Sequence, residues 1–388
     1  MWVYTPPMRL ALLPLSLIAA ALATPAQSQW QILPSPTTAN LRGIHNVGNG
    51  VAWASGSDGA VLSTTNDGKT WQLCATPPNA EKLDFRGIQA FDASTAIVMS
   101  SGKGDLSRLY KTTDACRTWT LLFTNPDPDG FWDALIMESP HNGWLLGDPV
   151  DGSFVIAQSY DSATRFDLPR PVNFRDFSTY LHLEAAGRGA FAASNSSLAM
   201  RPFSQPVNPC TYPRMWFGTS GPGGAKVFRL QRVLPQCSDY SMDTWMSADV
   251  PLSGATASSG VFSLAPKDDD VVIAVGGDYT IPNDPMQTAA LTTDGGKTWL
   301  PAQTPPHGYR SSVAYSPATK TWVTVGPNGT DMSTDDGRNW RALHPTPTEP
   351  PDADKNWNAL SLPFVVGPHG RIGKLRPSAF NQAGAAKQ

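Results

Sequence analysis

Glutamate is nearly missing from this chain of 388 residues: Glu81, Glu138, Glu184 and Glu349 are its whole supply. A glutamate-based catalytic pair has little to draw on. The six histidines are scattered without ligand spacing, and the four cysteines form no C-x-x-C. No metal site and no cofactor is therefore expected. There is no G-x-S-x-G elbow, no H-E-x-x-H and no Cys–His signature, so serine, cysteine and metal hydrolases are unsupported. The net charge of -3 excludes a general attraction to polyanions, and nucleic acid with it. No long stretch carries a helical apolar period. In its place stand 36 prolines and 33 glycines, the supply of many short strands joined by turns. An all-β chain is predicted.

The one long apolar run is N-terminal. Arg9 precedes Leu10 to Ala23, and Ala26-Gln27-Ser28 is a small-x-small cleavage site before Gln29. Residues 1–28 thus read as a signal peptide, with Met8 as an alternative start. The run is too short for a membrane anchor. The mature chain is expected to be exported to the periplasm or the extracellular space, without a transmembrane segment, and to be monomeric.

One octet returns through the chain. Thr64-Thr65-Asn66-Asp67-Gly68-Lys69-Thr70-Trp71 is followed by Thr112-Thr113-Asp114-Ala115-Cys116-Arg117-Thr118-Trp119. Thr292-Thr293-Asp294-Gly295-Gly296-Lys297-Thr298-Trp299 and Ser333-Thr334-Asp335-Asp336-Gly337-Arg338-Asn339-Trp340 repeat it, and Ser159-Tyr160-Asp161 opens a worn copy. A hydroxyl, an Asp or Asn two residues on, usually a Gly four on and an aromatic seven on describe a tight hairpin. The carboxyl or amide caps backbone N–H groups, and Gly supplies the positive φ. The aromatic opens the next strand and buries its ring. These residues are read as structural.

Upstream of each octet lie two further strands, so each unit is a four-stranded antiparallel meander of about 40–50 residues, a propeller blade. Seven units fall near 41–77, 85–124, 131–172, 188–252, 260–304, 309–345 and 357–376. The fourth has no octet, but Trp245 stands where a last strand should open. The seventh lacks a strand, and Gln29-Trp30-Gln31-Ile32-Leu33-Pro34 has the pattern to supply it. A seven-bladed β-propeller over 29–376, closed by the mature N-terminal strand, is predicted, with 377–388 as a disordered tail. Closure removes exposed sheet edges.

Export allows disulfides among Cys74, Cys116, Cys210 and Cys237, with three pairings open. Cys210 and Cys237 bracket a proline-rich excursion. Cys74 follows the first octet and Cys116 sits inside the second, so that pair would join adjacent blades.

The octets resemble Asp boxes, the hairpin motif of the bacterial neuraminidase repeat proteins, which include sialidases and sortilin-type receptors. The chain is most similar to one branch, the exported photosystem II stability/assembly factor-like propellers. The residues carrying that similarity are Thr304-Pro305-Pro306-His307-Gly308-Tyr309-Arg310-Ser311-Ser312-Val313-Ala314-Tyr315, Phe191-Ala192-Ala193-Ser194-Asn195-Ser196-Ser197 and Val275-Gly276-Gly277-Asp278-Tyr279. The resemblance runs from about Trp30 to Leu375. It implies a propeller whose arginine-bearing face binds an assembling membrane-protein subunit.

Candidate binding residues lie at the axial end opposite the octets. Arg42, Arg86 and Arg310 are read as heading the innermost strands of three blades, with Asp133 in a comparable place. Turns at that end bring Asp148 and Asp278. Three guanidiniums around one mouth favour a carboxylate or phosphate, so the expected partner is a protein segment or an anionic or glycan ligand. The alternative is a sialidase-like or other glycoside hydrolase. Against it, the Phe-Arg-Ile-Pro signature of sialidases is absent, and only a pair such as Asp148 and Asp278 is left for paired-carboxylate chemistry.

Overall fold

The computed structural model describes residues 1–3, 28–159, 185, 187–201, 214–233 and 242–381. Most of the expected signal peptide, Asp161, Cys210, Cys237 and residues 382–388 lie outside them. The described strands form seven separate antiparallel sheets, six of four strands and one of three. The three-stranded sheet is the third blade, whose sequence runs on into residues outside the description.

Each blade begins with an innermost strand: Leu41–Gly48, Phe85–Ala90, Trp132–Met137, Leu198–Arg201, Ser259–Pro266, Ser312–Ser316 and Ala359–Ser361. The N-terminal strand Trp30–Leu33 pairs with Ile372–Leu375 and completes the seventh sheet, as the pattern of residues 29–34 predicts. Trp30 stacks on Trp357 of the same blade at 5.7 Å. The described start of the expected tail is ordered: Pro377–Asn381 is a short helix with Ala379 fully buried.

Apolar residues between neighbouring blades hold the ring. Leu33, Ala359, Phe364 and Ile372 of the last blade pack with Leu41, Leu62 and Trp71 of the first. Ile273 and Leu291 of the fifth pack with Val313, Trp322 and Trp340 of the sixth. Each such Leu, Ile, Val or Phe side chain contributes about 1.5–3 kcal/mol on burial.

The octet side chains are spent on their own turns. Thr112 Oγ1 accepts the Cys116 N–H at 3.1 Å and donates to Asp114 Oδ1 at 2.9 Å. Asp114 Oδ1 accepts the Arg117 and Thr118 N–H groups at 3.1 and 3.0 Å. The hydroxyl bonds recur for Thr64, Thr292 and Ser333, and the bond to the residue four on recurs for Asn66, Asp294 and Asp335. The backbone N–H of Thr118 is the largest influence holding Asp114 down to about 2. Gly68, Gly296 and Gly337 take positive φ, whereas Cys116 adopts φ 59° in the same place. Cys116 is bonded to Cys74, joining the first blade to the second. Trp71, Trp119, Trp299 and Trp340 are all buried behind the turns. Ser159 ends its strand and donates to the His141 carbonyl at 3.2 Å.

Candidate functional site

Four of the seven innermost strands share an irregularity at their heads. Register shifts fall between Leu41 and Gly43, Phe85 and Gly87, Trp132 and Ala134, and Val261 and Ser263. Arg42, Arg86, Asp133 and Phe262 are thus the extra, unpaired residues of four bulges, where a strand bends and re-aims one side chain. The glycines beside the arginines are required by close packing. A Cβ on Gly43 would meet Ser55 Oγ at 2.5 Å, and one on Gly87 would meet Asn195 Oδ1 at 2.8 Å.

Arg42 and Arg86 come together on one carboxylate. Arg86 Nε donates to Asp84 Oδ2 at 2.8 Å, and Arg42 Nε lies 3.6 Å from the same oxygen. The three side chains keep 24–29% exposure, so they face water only in part. Burial, more than the neighbouring Arg86 charge, lowers the Arg42 pKa, while Asp84 opposes it. Two cations against one anion leave the cluster with one net positive charge. Arg42 Nε and Asp84 Oδ1 are buried and have no hydrogen-bond partner.

Arg310 does not join them, contrary to the expectation of three converging guanidiniums. It is fully buried, with Nε donating to Asp331 Oδ2 at 2.8 Å and Nη1 to the Tyr309 carbonyl at 2.7 Å. Its Nη2 also bonds Asp331, and Nη1 bonds the Asn328 side chain. The cause is one residue of register. The Arg310 N–H bonds the Gly276 carbonyl of the preceding blade, just as the Leu41 N–H bonds Gly367. Arg310 therefore occupies the place of Leu41, and Ser311 that of Arg42. Side chains alternate along a strand, so one step sends the guanidinium into the protein instead of toward the axis.

The inner strands are bridged by the chain itself. The segment before the fourth blade's innermost strand touches blades on both sides of it. The Ala190 N–H bonds Asp148 Oδ1 at 2.9 Å, and the Ala192 carbonyl accepts from Arg86 at 3.4 Å. Ser194 Oγ donates to the Ser311 carbonyl at 2.7 Å, Asn195 holds both backbone groups of Leu135 at 2.8 Å, and Ser196 bonds Ser263 Oγ at 2.7 Å. Phe191 stacks on Phe262 at 3.6 Å, and Tyr309 meets the edge of Phe262 at 4.8 Å. Tyr279, 53% exposed, also meets Phe262 edge-on at 6.1 Å. The Arg42 charge acts on the Tyr309 hydroxyl, but burial dominates and raises its pKa. The density of small polar residues in the run Phe191 to Ser197 is the sequence signal for this hydrogen-bonded segment.

The candidate carboxylates are in three different situations. Asp133 is buried with Oδ2 unpartnered, and burial, then the charge of Asp148, pushes its pKa well up. Burial also raises Asp148, against the Ala190 hydrogen bond. Asp278 stands at the fifth blade's turn. Burial alone would raise it, but bonds from Thr280 and Ser258 hold it low. Asp148 and Asp278 are thus tied to separate partners on different blades. Among the described residues no group of three His, Cys, Asp or Glu is placed to hold a metal ion. No described helix is long and apolar enough to cross a membrane.

This combination defines a seven-bladed propeller with an arginine pair and an aromatic cluster beside the bridging segment 190–196. No family model and no curated protein matches the chain. Solved structures do. YCF48 bound to a D1 peptide is similar at TM-score 0.55 and 14% identity, over 90% of this chain and 98% of that one. YCF48 from Cyanidioschyzon merolae is similar at 0.54 and 15%, over 90% and 99%. A GH74 xyloglucanase from Xanthomonas campestris is similar at 0.53 and 15%, over 91% of this chain and 54% of that one. At these identities the likeness is one of fold.

Proposed function

We propose that this protein is an exported, non-catalytic propeller of the Asp-box, assembly-factor-like kind, which binds a protein segment or another anionic ligand at its axial face. The observation that carries the reading is the Arg42–Asp84–Arg86 cluster. It is partly exposed and has one cation in excess. A single excess charge suits a monovalent carboxylate, and guanidiniums recognise carboxylates in bidentate fashion. The fold likeness to YCF48, solved with a D1 peptide, supports a peptide as the occupant. Exposed Tyr279, backed by the buried Phe262 and Tyr309, offers an apolar contact.

The test is capture from a native envelope fraction, identified by mass spectrometry, with wild type and the Arg42→Glu/Arg86→Glu variant as baits. Partners are expected on the wild type alone. Equal capture by a correctly folded double variant overturns the reading.

The glycoside hydrolase alternative draws on the GH74 likeness, which extends to the fold only. A panel of chromogenic glycosides, with Asp148→Asn and Asp278→Asn as controls, separates the two. Turnover lost in those variants would replace binding by catalysis.

A further inference from the structure

One of the four glutamates lies where the ring closes. Glu349, in the connection leading to the last blade, turns both carboxylate oxygens on backbone donors. Oε2 accepts the Thr346 N–H at 2.6 Å and the Thr346 hydroxyl at 2.7 Å, which fixes the carboxylate's direction. Oε1 faces the start of the closing strand. It accepts the Gln29 N–H at 2.8 Å, the Trp30 N–H, and the Ser28 hydroxyl at 3.1 Å. Gln29 itself is 3% exposed, and the Arg376 N–H bonds its carbonyl at 2.8 Å. The Arg376 side chain bonds the Trp30 carbonyl, and the Ser378 hydroxyl bonds that of Ser28. The backbone nitrogen of Gln29 is therefore buried, clamped on both sides and directed at an anion.

Gln29 is also the first residue after the small-x-small site, and cleavage there turns its nitrogen into an α-ammonium. We infer that Glu349 is a built receptor for the α-ammonium group of the processed chain, so that removal of the leader tightens closure of the propeller. The inference rests on cleavage before Gln29, and it is independent of what the axial face binds. Before cleavage the Glu349 carboxylate receives a neutral amide N–H, a bond already assisted by one charge; afterwards it receives an ammonium at the same place, which adds the attraction of an opposite charge. The contacts given up are neutral ones: the Ser28 hydroxyl on Glu349 and on the Trp30 carbonyl, and the Ser378 hydroxyl on the Ser28 carbonyl. A second consequence follows for residue 29. An N-terminal glutamine cyclises when its amine nitrogen attacks the side-chain amide carbon, forming the ring C–N bond and releasing ammonia. An amine held protonated on Glu349 has no lone pair for that attack, so the open glutamine persists.

The test uses the full-length gene expressed in an exporting host, and a second gene with Gly-Ser inserted after Ser28, each with Glu349 or with Glu349→Gln. Intact mass should place the first residue at Gln29 with its ammonia retained. The insertion, which replaces the ammonium by an amide, should lower the melting temperature in the Glu349 background and leave the Glu349→Gln background unmoved. Equal losses in both backgrounds, a different first residue, or a cyclised one each overturn the inference. Should Glu349→Gln fail to fold, the wild type still decides. Its α-amine should react with an acylating reagent about tenfold more slowly than in the unfolded chain, as a pKa raised by about one unit requires. Equal rates refute the pairing.

Discussion

Arg310 lies against Asp331, Nε to Oδ2 at 2.8 Å, with both side chains withdrawn from water. Removing one partner of such a pair leaves the other charged and buried, a loss of about 3–5 kcal/mol. Arg310→Ala should therefore be strongly destabilising in urea titration, while Arg42→Ala, on a part-exposed side chain, should stay within about 1 kcal/mol of wild type. Similar losses for the two would mean that Arg310 and Arg42 hold equivalent places after all.

Asp133→Asn should raise stability at neutral pH. Burial and the Asp148 charge raise the Asp133 pKa in the fold. The unfolded carboxyl ionises near 3.9, so folding is opposed increasingly as pH climbs from there toward the raised folded value. The amide removes that slope. Melting curves of the two proteins from pH 4 to 8 should diverge upward with pH, and parallel curves would count against the assignment.

Asp114 and Asp294 should titrate at about 2 by carboxyl NMR. Both folded values lie below the unfolded one, so their turn bonds stabilise the fold above about pH 3.9 and lose that contribution as pH falls toward 2. Values near 3.9 would show that the octet hydrogen bonds are not held in solution.

Reduction should loosen the seam between the first two blades. Cys74→Ser/Cys116→Ser is expected to cost about 2–4 kcal/mol. The wild type in dithiothreitol should melt like the variant. A midpoint indifferent to both would show that Ala75 and Trp119, which hold the seam by their own hydrogen bonds, are sufficient.

Trp30→Ala should open the ring. The residue stacks on Trp357 and is 2% exposed. A Trp→Ala core change costs about 3–5 kcal/mol, and an unpaired edge at Ile372–Leu375 invites association. Light scattering below the melting temperature should rise relative to wild type.

The repeat itself made the architecture legible. Turn grammar is local: Thr112 and Asp114 bond each other and the backbone of residues 116–118, so the pattern survives in the sequence and counts the blades. The closing strand was legible too, because Trp30 to Leu33 keeps a strand pattern with no octet before it. The axial site was half legible. Arg42 and Arg86 share a large-Arg-Gly signature, and the Gly is needed because another blade comes close. Arg310 has Ser where that Gly should stand, a sign that its frame is shifted by one.

What the sequence alone determined was therefore everything set within a hairpin, namely the all-β class, the seven units and the turns, together with the one unpaired strand pattern that closes the ring. Tertiary structure decided which way each strand-head side chain points, that Asp84 is shared by two arginines, and that residues 190–196 bridge the inner strands. Those outcomes depend on contacts between blades far apart in the chain, where a single residue of register exchanges inside for outside.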